Sequence, residues 1–373
     1  MHLRPLTSIR FLFALLVVVF HAQGTSQNGG FNDWPAVLRA VVSHGYVGVS
    51  FFFVLSGFIL AYSYSSRPIG SCESAKFWGA RFARIYPAYI TAFVVVLPVA
   101  VYSTWTNGNV VFNSITAGLQ LTLTQSWVPY AALQWNGPAW SLSVEAFFYA
   151  LFPLLFPRAR LLKTAQLYWL AGVAYMASQV GGMIGSYYGP SISAGINEQL
   201  HLPLNGAELF YMYFPPFRVP EFVFGVVLGI LFVRSKPISA RTRRSMIFLG
   251  CAGFIIGFMV LEPIVPAGMI SNGLLMPFLG LLLVGLAHSP SRIFNHPILV
   301  QLGEASYALY LLHMPLWSWM SRVDNHLWHW QAQHPNLLFI AYVALIIAAS
   351  VTSLHLIETP ARLVILRRLQ RLS

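Results

Sequence analysis

Apolar stretches of about 18 to 22 residues recur along the whole chain between short polar segments, and each is long enough to cross a bilayer as helix. They lie at 6–24, 45–64, 85–105, 139–157, 165–187, 216–234, 245–262, 268–287, 298–320 and 336–357. The pattern predicts an all-α bundle of about ten transmembrane helices. Segment 110–127 is nearly long enough to cross as well. Crossing there would move Arg158, Arg160 and Lys163 away from the other basic loops, so it is predicted to be re-entrant or interfacial on the outer face, in a position to line a cavity. No internal repeat and no low-complexity linker interrupts the pattern, which predicts one membrane-embedded domain over 1–373.

Composition agrees with the pattern: 57% of the 373 residues are hydrophobic and 9% are charged, far below the quarter or so that a soluble domain carries. The formal charge of +12 does not point to nucleic acid, because the basic residues flank apolar runs and form no separate polar domain. With the N-terminus in the cytoplasm, only Arg39, Arg218 and Arg322 of the 22 Lys and Arg fall on the outer side. Both termini are then cytoplasmic. No small-residue cleavage pattern follows His21, so the first run is predicted to be retained. Cys72 and Cys251 have no metal-binding or redox spacing, and no metal site is predicted.

Ionisable groups inside apolar runs are costly and each asks for a partner or a function. Arg10 and His21 are eleven positions apart, which places them on nearly one face of the first helix, about 16 Å apart along its axis. A histidine there suits general-base or nucleophilic work and the arginine suits a phosphate or carboxylate; the plain alternative is an interfacial histidine and a flanking anchor. Arg81 and Arg84 share a helical face at i and i+3, a good site for pyrophosphate or ribose phosphate, although flanking arginines are also common topology anchors. Glu145 is placed at a depth like that of His21 and is expected to pair with it and raise its basicity, or else to cap Trp140, Ser141 and Ser143. Arg218 and Glu221 at i and i+3 predict a structural ion pair at the outer entrance of the sixth span. Glu304 is expected to meet Arg81 or Arg84, and His313 to line a tunnel, with helix-packing roles equally open. The loop 188–215, with Glu198, Glu208 and the stretch YMYFPPF, suits either carbohydrate contact or an aromatic interfacial belt.

Four of these stretches together resemble the acyltransferase-3 family of membrane proteins. They are LTSIRFLFALLVVVFHA with Arg10 and His21, GYVGVSFFFVLSGFILAY, KFWGARFARIYPAY with Arg81 and Arg84, and GPAWSLSVEAFFYALFP with Trp140, Ser141 and Glu145. Weaker echoes follow in FRVPEFVFGVVLG, in SYALYLLHMPL with His313, and in IETPAR. The resemblance implies a bacterial inner-membrane O-acyltransferase that moves an acyl group, acetyl first among them, from cytoplasmic acyl coenzyme A to a glycan hydroxyl. It implies His21 as the catalytic group, with Glu145 beside it, and Arg10, Arg81 and Arg84 as residues that bind acyl coenzyme A. Trp140, Ser141 and His313 are expected at the substrate. Membrane lipids and a lipid-linked or polymeric glycan, such as an exopolysaccharide, are the other expected partners. Some family members carry an additional secreted hydrolase-like domain; this sequence ends at Ser373, so the reaction is expected to finish here or on another protein. The alternatives are a polysaccharide or lipid transporter, disfavoured by the absence of repeats, and an accessory scaffold.

Overall fold

The computed structural model describes residues 3–25, 34–66, 72–107, 110–200 and 211–372. Each predicted apolar run is built from helix, with 268–287 broken by a turn at residues 272–275. In chain order the helices are α1 (Arg4–Thr25), α2 (Ala36–Ser43), α3 (Gly48–Tyr64), α4 (Cys72–Asn107), α5 (Val110–Leu121), α6 (Pro129–Ala132), α7 (Trp140–Ala159) and α8 (Thr164–Leu200). They continue with α9 (Pro215–Arg234), α10 (Ala240–Leu261), α11 (Ala267–Ser271), α12 (Met276–Ala287), α13 (Pro297–Val323), α14 (Trp330–Gln333), α15 (Pro335–Ser353) and α16 (Thr359–Leu372). Proline opens α9, α13 and α15, where its missing N–H costs nothing and its fixed φ suits the first turn.

Among the described residues, eight segments are both long and apolar enough to cross a membrane. The other two predicted runs, in α8 and α13, fold as helices of 37 and 27 residues but carry more polar side chains. For α13 the reason is its place in the bundle. Ser306 and His313 are buried by neighbouring helices, so its polar groups face protein and not lipid.

Two close crossings set the frame. A Cβ added at Gly57 would lie 2.2 Å from the carbonyl oxygen of Phe222, and one at Gly225 would lie 2.0 Å from that of Val54. Only glycine lets α3 and α9 approach so closely, as small residues do in membrane bundles generally. At the second crossing, a Cβ on Gly303 would fall 2.0 Å from the Thr7 carbonyl oxygen, which sets α13 directly against α1.

The segment after α4 does not cross: α5 has twelve residues, about 18 Å of helix against a hydrocarbon core of about 30 Å. Val110, Val111 and Ile115 are exposed, whereas Gln120, Gln125, Ser126 and Asn136 are buried. Gln125 Nε2 donates to the Ala139 carbonyl at 2.9 Å, Ser126 Oγ to the Trp140 carbonyl at 2.8 Å, and Asn136 Nδ2 to the Leu311 carbonyl at 3.0 Å. These polar bonds fold 120–139 into the bundle, so α7 starts inside the protein and not at its rim. Of the segment 188–215 expected as a loop, 188–200 instead continue α8 as helix, and 201–210, including Glu208, lie outside the described residues, as does the Glu198 side chain.

Candidate active site

A cavity of about 350 Å³ opens between α1, α3, α4, α7 and α13. Arg10 reaches it from α1, Arg81 and Arg84 from α4, and Arg362 from α16, against the single carboxylate of Glu145. The described residues hold two ion pairs, His44 with Glu262 and Arg218 with Glu221, and neither involves these four arginines. Arg81 Nε is buried with no hydrogen-bond partner. Four guanidinium groups against the lining carboxylate of Glu145, with Glu358 near Arg10 and Arg84, leave an excess of positive charge that suits a multiply charged anion, and the planar fork of arginine suits phosphate oxygens.

Polar groups organise the rest of the wall. Glu145 Oε1 accepts from Ser56 Oγ at 3.2 Å and from the Tyr149 hydroxyl one turn along α7. Trp78 Nε1 donates to the Tyr149 carbonyl at 2.9 Å, and the Tyr307 hydroxyl to the Ile85 carbonyl at 3.0 Å, which ties α7 and α13 to α4 at the level of the arginines. On α13, Ser306, Tyr307 and Tyr310 line the cavity, and His313 follows three residues later on the same face. Tyr310 closes the far end: its hydroxyl donates to the Pro138 carbonyl at 3.1 Å and accepts from Ser141 Oγ at 2.9 Å.

Beyond Tyr310 sit two histidines. His21 Nδ1 is 3.3 Å from His313 Nε2 and 2.9 Å from the Val17 carbonyl oxygen. His313 is completely buried, and its Nδ1 is 2.6 Å from the Tyr310 carbonyl oxygen.

The structure thus brings Arg10, Arg81, Arg84, Ser141 and Glu145 to one cavity, and places His21, His313 and Trp140 outside its lining. Glu145 does not pair with His21; the expectation fails because α7 begins inside the bundle, which moves Glu145 to the depth of the arginines. His21 meets His313 instead. Trp140 is a packing residue, its ring edge-on to Phe53 at 5.8 Å and beneath the Arg218 guanidinium at 5.7 Å. The Arg218 and Glu221 pair forms as expected, Nε to Oε2 at 2.9 Å, but fully buried and not at an entrance. Glu304 is exposed and pairs with neither Arg81 nor Arg84. Ser56, Tyr149 and Arg362 went unassigned in the sequence. The signals were Tyr149 at i+4 from Glu145 and Arg362 inside the IETPAR stretch.

Comparison with known proteins adds a family. A family model described as an acyltransferase domain matches residues 6–355. An acyltransferase of Streptomyces mycarofaciens, MdmB, is 28% identical over 381 residues, covering 98% of this chain and 93% of that protein. The O-acetyltransferase OatA of Staphylococcus aureus is 25% identical over 349 residues, covering 86% of this chain but 53% of its own length. The chain therefore spans about half of that relative. No solved structure matches.

Proposed function

The chain belongs to the acyltransferase-3 family of acyltransferase domains, and from that premise we propose that this membrane O-acyltransferase takes an acyl group from acyl coenzyme A and transfers it to a hydroxyl of an exported or cell-surface glycan. The observation that carries the donor is the cavity with Arg10, Arg81, Arg84 and Arg362 facing one carboxylate. Coenzyme A bears a pyrophosphate and a ribose phosphate, and a site with four guanidinium groups complements that charge as no neutral acyl ester would require. The basic loops orient the arginine end toward the cytoplasm of a bacterial inner membrane, where acyl coenzyme A is made.

His21 is the reactive group. Eleven residues of α1 separate it from Arg10, a rise of about 16 Å, and the pantetheine arm reaches it along α13 when the Tyr310 side chain that closes the far end of the cavity swings aside. The Val17 carbonyl, 2.9 Å from Nδ1, can only accept, which favours the neutral tautomer of His21 that has its proton on Nδ1 and its lone pair on Nε2. As a general base, Nε2 takes the acceptor hydroxyl proton while the oxygen attacks the thioester carbonyl; the C–O bond forms, the C–S bond breaks, and the proton passes to the departing sulfur. As a nucleophile, Nε2 attacks the thioester carbonyl itself: the C–N bond forms as the C–S bond breaks and coenzyme A leaves as the thiolate, and the acceptor hydroxyl then takes the acyl group from Nε2 while its proton passes to that thiolate.

The test is transfer of radiolabel from acetyl coenzyme A by the purified protein in lipid nanodiscs, with and without lipid-linked glycan, beside His21→Ala. Labelled glycan from the wild type alone supports the reading, and label held on the protein without glycan supports the acyl-histidine route. Equal transfer by the variant removes His21, and no transfer from any short acyl donor returns the chain to a transport role.

A further inference from the structure

His313 brings a ring nitrogen to 3.3 Å from His21 Nδ1, and its own surroundings determine what it can do there. Its Nδ1 lies 2.6 Å from the Tyr310 carbonyl oxygen, its backbone carbonyl accepts from the Tyr342 hydroxyl at 2.9 Å, and the residue is sealed from solvent. A carbonyl oxygen only accepts, so the proton of neutral His313 is on Nδ1, and Nε2, 3.3 Å from His21 Nδ1, holds a lone pair. Two acceptors therefore face the Nδ1 proton of His21: the Val17 carbonyl from its own helix and His313 Nε2 from α13.

Resting on the reading of His21 as the reactive group, we propose that His313 is a positioning residue that holds the proton of His21 on Nδ1 and so keeps Nε2 as the reactive nitrogen. The arrangement performs the orienting task of the carboxylate in a Ser-His-Asp triad with a neutral acceptor. It does so where an ionised carboxylate would be costly. When His21 takes a proton on Nε2, the imidazolium keeps its Nδ1 proton shared between Val17 and His313, and no proton leaves the pair. The alignment of α13 with α1 that the Gly303 crossing enforces brings the two rings to a centroid distance of 5.0 Å.

The experiment compares His313→Ala, His313→Asn and His313→Gln in the nanodisc assay, with thermal unfolding as a check on folding. His313→Ala is expected to lower kcat by about 100-fold or more, the scale of a misdirected general base, with the KM for acetyl coenzyme A within about twofold of wild type. One of the amides, which can accept from His21 and donate to the Tyr310 carbonyl, is expected to restore at least tenfold of that loss, about 1.4 kcal/mol. If the alanine variant does not fold, the amide variants decide: both folded yet as inactive as His21→Ala, or KM raised with kcat kept, overturns the proposal. A readout independent of turnover is the ring ¹⁵N spectrum of histidine-labelled protein, with His21 assigned by its loss in His21→Gln. Pyrrole-type Nδ1 and pyridine-type Nε2 in the wild type, mixed in the folded variants, supports the proposal; a protonated Nε2, or no change on substitution, overturns it. Should the wild type transfer nothing from acetyl coenzyme A, the function fails, and the spectrum alone still decides whether His313 sets the tautomer.

Discussion

At the scale of single residues, the proposed function assigns binding to the arginines of the cavity and reaction to the histidine beyond it. Arg81 and Arg84 make no ion pair, so their charge is free for a ligand, and Arg84→Ala is expected to raise the KM for the acyl donor about 10- to 100-fold, the equivalent of one charge-assisted hydrogen bond of about 1.5–3 kcal/mol. The kcat should change little, and steady-state kinetics with varied acetyl coenzyme A separates the two. Glu145 answers to stability. Its oxygen accepts from Ser56 and Tyr149, so Glu145→Ala leaves two hydroxyls without an acceptor at a cost of about 1–3 kcal/mol, whereas Glu145→Gln retains an acceptor. Thermal unfolding in detergent should rank wild type and Gln well above Ala.

Helix by helix, α13 does most to organise the site, since it supplies Ser306, Tyr307 and Tyr310 to the cavity and His313 to His21. Its position depends on the absence of a side chain at one residue. Gly303→Val places carbon atoms against the Thr7 carbonyl, where even a Cβ would stand 2.0 Å away, and backbone cannot yield as a flexible side chain can. That variant is expected to lose folded protein, or to fold with α1 and α13 parted and transfer abolished; size-exclusion profile and activity read both. Tyr310 is the element's second lever. Tyr310→Trp puts a bulkier ring at the closed end between the arginine cavity and His21, and is expected to retain donor binding while transfer falls by at least tenfold, as seen by comparing equilibrium binding of coenzyme A with turnover. The sequence showed α13 as an apolar run with polar interruptions; it did not show that those interruptions share one inward face with a partner on α1, because that depends on which helix packs beside it.

Across the whole molecule, the residues that meet at the cavity come from both ends of the chain: Leu3 just before α1, Thr7 and Arg10 on α1, and Arg362 on α16. Both ends of the described chain therefore approach the arginine end, and the positive-inside rule predicts that this end faces the cytoplasm. Single cysteines at Lys236 and Gln370, in a background with Cys72 and Cys251 replaced, should react with an impermeant thiol reagent only in inverted vesicles, and a cysteine at Arg39 only in intact cells; the opposite pattern reverses the orientation. What the sequence determined by itself was the helical membrane architecture, the family, and the residues that carry charge into the bilayer, because hydrophobic length and the cost of buried charge act locally and leave their mark along the chain. It also fixed that Arg10 and His21 share a face of one helix, a matter of helical period alone. What only the tertiary structure decided was which of these residues meet. The bonds of Gln125, Ser126 and Asn136 draw 120–139 into the bundle and set Glu145 beside the arginines. The Gly303 crossing sets His313 beside His21. Depth and partnership arise from contacts between segments far apart in the chain, and the spacing within any one segment does not encode them.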